Sequence, residues 1–245
     1  MIPLCDTVPN RRPPVATWLL ILLNCVVFVA ELGCPEPLRE RVLFYLGIVP
    51  ARYTQPGWDP SAWAGVPAAL PLLAHMFLHA GWLHIIGNMW TLWIFGDNVE
   101  DRMGSVRFLV FYLLCGLAAG LTHLLTNVHS TVPTVGASGA ISGVLAAYLL
   151  LYPLSRIIVM MPLLFWPFFF EMPAFFYMAL WFLIQLFSGT LSLVAPGAAG
   201  GVAWWAHIGG FVAGLALCPA FVIRRKRRRR LYRDELGLEG AWLRT

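Results

Sequence analysis

The chain has 245 residues, of which 59% are hydrophobic and only 12% are charged, whereas a soluble domain carries about 25% charged residues. Neither Lys nor Arg occurs between Arg107 and Arg156 or between Arg156 and Arg224. A soluble fold could not bury that much apolar surface, so the composition excludes a soluble domain and indicates a protein that crosses a membrane several times.

Six apolar runs are predicted to be membrane-spanning helices, at residues 16–32, 82–97, 106–127, 137–153, 172–189 and 202–223. An even number of spans places both termini on one side of the membrane. The arginines of the short loops and of the chain ends then share that side, which the positive-inside rule assigns to the cytoplasm. We therefore predict an all-α membrane protein, a bundle of six transmembrane helices with a long first extracytoplasmic loop at 33–81.

Three other apolar segments are not suited to cross the membrane as helices. Residues 38–46 and 68–79 are too short and are predicted to lie in the outer interface. Residues 157–171, IIVMMPLLFWPFFFE, are interrupted by Pro162 and Pro167 and are placed at the cytoplasmic interface. Glu171 is then expected to be an interfacial charge rather than a buried functional carboxylate.

The regions outside the predicted membrane domain (16–223) are a cytoplasmic segment at 1–15 and a basic cytoplasmic tail at 224–245. Most of the net charge of +5 comes from the run at 224–230. A basic run directly after a span is typical of a cytoplasmic anchor that attracts anionic lipid, so we expect no nucleic-acid partner. The five cysteines lack regular spacing and predict neither a disulfide framework nor a metal framework.

Polar residues on three different spans share one depth. Each of the following lies 17 residues before the cytoplasmic end of its span: Ser138 (before Ser155), His207 (before Arg224) and His84 (before Asp101). That number of residues corresponds to roughly 25 Å of helix, in a hydrocarbon core of about 30 Å. Asn88 follows His84 one turn deeper. Polar side chains at such a depth are costly and point to function.

Glycines at a spacing of four predict a close contact between the fourth and sixth spans. The pairs are Gly139 with Gly143 and Gly210 with Gly214. Small residues at this spacing let helix backbones approach each other. His207 precedes Gly210 by three residues and lies on the same helix face, so the contact would bring His207 against Ser138.

This juxtaposition predicts a catalytic Ser138–His207 dyad. A serine hydroxyl becomes a useful nucleophile when a base takes its proton, and no carboxylate lies near His207 in sequence to complete a triad. The amides around Ala137 and Ser138, at the start of a helix, could stabilise an oxyanion together with the side chains of His84 and Asn88. The reaction class that fits is hydrolysis of a peptide bond.

These residues resemble the rhomboid intramembrane serine proteases. The resemblance rests on GASG at 136–139, on His207 with its two glycines, on HIIGN at 84–88, and on the segments at 95–105 and 172–189. It covers residues 68–223. The resemblance implies a six-helix core, Ser138 as nucleophile, His207 as base, and His84 and Asn88 as oxyanion donors.

The resemblance also implies that the substrates are membrane-anchored proteins cut in or near a transmembrane segment, with no metal or other cofactor. The site would open to the extracytoplasmic side of a bacterial cytoplasmic membrane. Gly136 is grouped with the helix-contact glycines, and Glu100 and Gly104 match a structural pattern after the second span. Glu100 is expected to accept hydrogen bonds from backbone donors of the cytoplasmic loop.

One departure concerns Ser142, where relatives often carry an aromatic residue that packs on the catalytic histidine. Trp204 or Trp205 is therefore expected to hold the His207 ring. The fifth span is interpreted as a substrate gate, so smaller side chains at Phe176 or Trp181 would speed cleavage.

Several alternatives stay open. Ser142 could be the nucleophile instead of Ser138, and His75 with His79 could bind zinc. The chain could be an inactive rhomboid-like protein that binds membrane clients, or a transporter, although it lacks internal repeats and midplane charges. His123 and His129 are expected to be solvated.

Overall fold

The long apolar runs form helices close to their predicted bounds. The computed structural model of the chain describes residues 1–57, 65–163, 166–194 and 202–223. Its long helices are α1 (Val15–Leu32), α5 (Trp82–Met103), α6 (Ser105–Thr126), α7 (Ser138–Leu151), α8 (Ala174–Val194) and α9 (Trp204–Phe221). Two helices end clearly later than predicted: α5 continues past residue 97 through a polar stretch to Met103, and α8 continues past residue 189 to Val194.

Four of the described helices, α1, α6, α8 and α9, are long and apolar enough to cross a membrane, which makes the chain an integral membrane protein. α5 qualifies only together with Leu70–Phe77, from which it is bent by 89°, because polar residues such as His84, Asn88 and Asp97 lower its own hydropathy. α7 has 14 residues, or about 21 Å of helix, against a hydrocarbon core of about 30 Å. Length and composition thus support four or five spans, and the count of six stays a prediction.

The all-α prediction is wrong in one respect, because the mostly helical fold also contains a three-stranded antiparallel sheet. Its strands are β1 (Ile2–Asp6), β2 (Arg156–Leu163) and β3 (Trp166–Pro173), in the order β1–β2–β3. Pro162 pairs with Pro167 near the end of the hairpin, where a missing backbone donor interrupts few ladder bonds. A hairpin alone is only marginally stable, and its third strand comes from the far N-terminus. Local sequence patterns therefore could not reveal it.

Charged side chains of the sheet form hydrogen bonds and an ion pair, and Asp6 connects the sheet to α5 and α7. Asp6 accepts hydrogen bonds from the Asn98 amide at 2.8 Å and from the Tyr148 hydroxyl. At the base of the hairpin, Glu171 pairs with Arg156 at 3.0 Å, and both side chains are about half exposed or more (49% and 66%). Glu171 is therefore not a buried carboxylate, and its position at the membrane interface stays a prediction.

Glu100 is buried and holds the first turn of α1. Its carboxylate accepts from the Ala16 amide at 2.9 Å, the Thr17 amide at 2.8 Å and the Ser105 hydroxyl at 2.6 Å. The prediction that Glu100 accepts from backbone donors of the cytoplasmic loop is therefore wrong, because both backbone donors belong to α1 and Ser105 donates through its side chain. The first amides of α1 need such an acceptor, since they have none within their own helix. Gly104 joins α5 to α6 at a φ of +78°, a conformation that favours glycine.

The first loop contains short helices rather than extended chain: α2 (Glu36–Leu46), α3 (Pro50–Thr54), α4 (Leu70–Ala74) and a 3₁₀ turn at His75–Phe77. Arg52 of α3 connects to α2 by donating hydrogen bonds to the carbonyl oxygens of Phe44 at 2.8 Å and Tyr45 at 3.2 Å. Ile48 bridges to Thr134, in the segment that leads into α7. The first loop thereby supports the start of α7.

α7 is the central helix, and every residue from Gly139 to Tyr148 is buried. It packs against α5, α6, α8 and α9. Ser138 is the first residue of this helix. The predicted basic anchor at 224–230 and the tail to residue 245 lie outside the described residues.

Candidate active site

The Ser138 and His207 side chains meet in the structure. Ser138 opens α7 and His207 lies in the first turn of α9, and the distance between Ser138 Oγ and His207 Nε2 is 2.8 Å. His84 lies in the first turn of α5. These three helices therefore begin at one end of the bundle, which brings residues far apart in sequence to one level.

The backbones of α7 and α9 are in direct contact beside Ser138 and within one turn of His207. A Cβ atom at Gly210 would lie 1.9 Å from the carbonyl oxygen of Gly139, and one at Gly214 would lie 2.4 Å from that of Gly143. Both distances are far below van der Waals contact, so only glycine fits at these two positions of α9. The contact pairs Gly139 with Gly210 and Gly143 with Gly214, as the glycine spacing predicts.

Gly136 has a different role from the other four glycines. It precedes α7 and adopts a φ of +123°, which side chains rarely tolerate. A Cβ there would lie 2.6 Å from the His84 ring and 3.6 Å from Asn88 Nδ2. The grouping of Gly136 with the helix-contact glycines is therefore wrong, because this glycine admits the two predicted oxyanion donors of α5 rather than α9.

A chain of buried polar groups holds the side-chain amide of Asn88 in place. Asn88 Nδ2 lies 3.0 Å from His79 Nε2, and the backbone amide of His79 donates to Glu31 Oε1 at 3.3 Å. The rings of His79 and His84 meet edge to face with centroids 5.1 Å apart. His84 and Asn88 thus lie beside the backbone that leads into Ser138. The amides at the start of α7, around Ala137 and Ser138, have no acceptors within the helix.

Ser142 lies one turn below Ser138. It is almost fully buried, and its hydroxyl donates to the Ser138 carbonyl oxygen at 2.7 Å. The Ser142 hydroxyl is therefore bonded within its own helix, whereas Ser138 Oγ faces His207 Nε2.

The His207 ring has neighbours that the sequence analysis missed. Gln185 of α8 places Oε1 2.7 Å from His207 Nδ1. The Trp181 ring, also on α8, lies 6.0 Å from the imidazole at an angle of 35°, and Trp204 meets the imidazole edge to face at 6.3 Å. Trp205 instead donates to the Gly189 carbonyl oxygen at 3.0 Å. Of the two expected tryptophans, Trp204 is therefore the one beside His207, and α8 supplies the rest.

A cavity of about 950 Å³ leads to these residues. Its lining comes mainly from the starts of α5, α7 and α9 and from the segment before α7, with contributions from the C-terminal ends of α6 and α8, and includes His84, Asn88, Ser138 and His207. A peptide segment could therefore reach the Ser138 hydroxyl with the donors of α5 beside it.

The remaining histidines have partners within the protein. His75 Nδ1 donates to the Pro71 carbonyl oxygen at 3.0 Å. His123 is buried, and its Nε2 lies 2.7 Å from the Thr134 hydroxyl, so the expectation that His123 is solvated is wrong. Within the part of the chain that the structure describes, no group of three or more His, Cys, Asp or Glu side chains could hold a metal ion.

Comparison with known proteins gives matches along most of this region. The model of the rhomboid domain matches residues 67–224. The chain is 28% identical over 176 residues to RHOMBOID-like protein 5 of Arabidopsis thaliana, which covers 58% of this chain and 54% of that protein. It is 42% identical over 78 residues to Rhomboid protease GluP of Bacillus subtilis (strain 168), covering 32% of this chain and 15% of that protein.

A third relative is the human Presenilin-associated rhomboid-like protein, mitochondrial, which is 32% identical over 96 residues, or 38% of this chain and 25% of that protein. The matched regions thus span about half or less of the length of these relatives. The family model, by contrast, covers well over half of this chain and includes all five predicted catalytic and oxyanion residues. The chain belongs to the rhomboid family.

Proposed function

We propose that the protein is an intramembrane serine protease that hydrolyses peptide bonds in or near transmembrane segments of membrane-anchored proteins. The observation that carries this proposal is the 2.8 Å contact between Ser138 Oγ and His207 Nε2 at the start of a buried central helix. The similarity to Rhomboid protease GluP of Bacillus subtilis supports the same conclusion.

In the proposed mechanism, His207 Nε2 takes the Ser138 proton while Oγ attacks the scissile carbonyl carbon. The negative charge that develops on the carbonyl oxygen is stabilised by amides at the start of α7, around Ala137 and Ser138, and by His84 and Asn88. The tetrahedral intermediate collapses, the C–N bond breaks, and the protonated His207 gives its proton to the leaving amine. Water, activated by the same imidazole, then hydrolyses the acyl-enzyme and frees Ser138. This mechanism uses no cofactor.

The proposed topology has six spans, both termini in the cytoplasm and a site open to the extracytoplasmic side of a bacterial cytoplasmic membrane. The common level of Ser138, His207 and His84 supports it, since α5, α7 and α9 then run in one direction. The basic run at 224–230 would contact anionic lipid on the cytoplasmic face.

The test is labelling of the purified protein with a fluorophosphonate probe, which requires no known substrate. Ser138→Ala should abolish labelling, and His207→Ala should reduce it by at least about 10³-fold, a typical loss when a nucleophile or its base is removed. Ser142→Ala is the matched control and should label like the wild type. A folded wild type that takes no label would favour the alternative, an inactive rhomboid-like protein that binds membrane clients.

A further inference from the structure

Gln185 is a buried amide on a helix whose other face is largely exposed. It is 5% exposed, whereas Leu183 and Phe187 on the same helix are 59% and 71% exposed. A buried amide is costly unless its polar atoms are bonded. Gln185 Nε2 donates to the Trp181 carbonyl oxygen of its own helix at 3.2 Å, and Oε1 faces His207 Nδ1 at 2.7 Å. The first bond fixes the side chain so that the second can form.

We propose that Gln185 is a positioning residue that holds His207 in its base-competent tautomer, an inference that rests on the proposed protease function. An amide oxygen only accepts, so it selects the imidazole with its hydrogen on Nδ1. The lone pair then lies on Nε2, which faces Ser138 Oγ. When His207 takes the serine proton, the Nδ1–H bond to Gln185 becomes charge-assisted and strengthens. Gln185 would thus act as the third member of an otherwise two-residue site.

Because Gln185 lies on α8, its hydrogen bond to His207 depends on the position of α8. α8 docks on α9 through Phe182 and Trp181, whose rings lie 4.7 Å and 6.0 Å from the Phe211 ring. A displacement of α8 by about 1 Å would lengthen the 2.7 Å bond beyond the roughly 3.5 Å limit of a hydrogen bond. If α8 moves aside to admit a substrate, the hydrogen bond between Gln185 and His207 breaks, and it re-forms only when α8 returns to its position on α9.

Two substitutions at position 185 separate hydrogen bonding from packing. Gln185→Met keeps the length but removes the acceptor, and should lower the fluorophosphonate labelling rate about tenfold, because the lost bond becomes charge-assisted as His207 takes the proton. Its thermal midpoint should change little, because the cost of leaving the His207 Nδ1–H unpaired is offset by the burial of an apolar side chain. Gln185→Glu keeps an acceptor, and should label within about threefold of the wild type while its thermal midpoint falls. If Gln185 only packs, Gln185→Met should label at the wild-type rate and Gln185→Glu should label more slowly.

Ile184→Met is the matched control, because Ile184 is 48% exposed on the outer face of α8, and it should match the wild type in rate and midpoint. Gln185→Asn withdraws the amide by one methylene and should lose as much rate as Gln185→Met, so either variant suffices if the other fails to fold. Phe182→Ala, which loosens α8 while leaving the amide intact, should also slow labelling.

The outcomes separate the two proposals. A wild type without Ser138-dependent labelling contradicts the protease function itself. A wild type that labels, together with Gln185→Met or Gln185→Asn at the wild-type rate, overturns the role of Gln185 alone. A wild-type rate in Phe182→Ala would overturn its dependence on α8 docking.

Discussion

Replacing Gly210 by alanine tests whether the backbone contact of α7 with α9 builds the active site. The added Cβ would lie 1.9 Å from the carbonyl oxygen and 2.9 Å from the carbonyl carbon of Gly139. Close carbon–oxygen contacts in proteins settle at about 3.3–3.6 Å, so the two helices must separate by about 1.5 Å. Neither atom belongs to a flexible side chain that could turn away.

The expected loss follows from that separation. The Ser138–His207 contact of 2.8 Å would exceed the hydrogen-bond limit of about 3.5 Å if most of the shift reached it. A displacement of about 1 Å at reacting groups can cost on the order of 10²-fold in rate. Forcing a methyl group into a packed contact costs about 1–3 kcal/mol of folding free energy. We therefore expect the labelling rate of Gly210→Ala to fall about 100-fold and its thermal midpoint to decrease.

The assay compares labelling rates well below the thermal midpoint with unfolding curves in the same detergent. Gly33→Ala is the matched control, because a Cβ there would lie 3.5 Å from the Ala30 carbonyl oxygen, an ordinary contact. A wild-type labelling rate in Gly210→Ala would refute the reasoning. A lower midpoint with an unchanged rate would show that the contact stabilises the bundle without setting the dyad.

Three further predictions concern α1 and α8. Glu100→Ala should lower the free energy of unfolding by about 3 kcal/mol, because it leaves buried amide and hydroxyl donors unpaired; unfolding curves measure this, and a change below about 1 kcal/mol would contradict it. Trp181→Ala should slow labelling several-fold by freeing the His207 ring, the reverse of what a gate alone predicts. Phe176→Ala should label normally, since this ring is 60% exposed; a faster rate would instead support the gate interpretation, and a slower rate would place Phe176 in the site.

The sequence alone predicted the helices and the central pair of the site. The long helices follow predominantly apolar runs, and the rise per residue of a helix is constant, so counting residues from the predicted cytoplasmic ends indicated that Ser138, His207 and His84 share a level. Glycines four apart lie on one helix face, which indicated the contact of Gly210 with α7. These inferences use regularities that repeat along one helix, and a single sequence displays them directly.

Only the tertiary structure decided which surfaces face one another. Gln185 is an isolated polar residue in an apolar span, and nothing in its local pattern shows whether it faces lipid, its own helix or His207. The rotation of α8 about its axis, set by the packing of Phe182 on Phe211, aims it at the imidazole. Likewise, Glu100 meets α1, and β1 joins a hairpin some 150 residues later, through contacts between distant segments. Such partners are chosen by the three-dimensional packing of elements, which no local periodicity encodes.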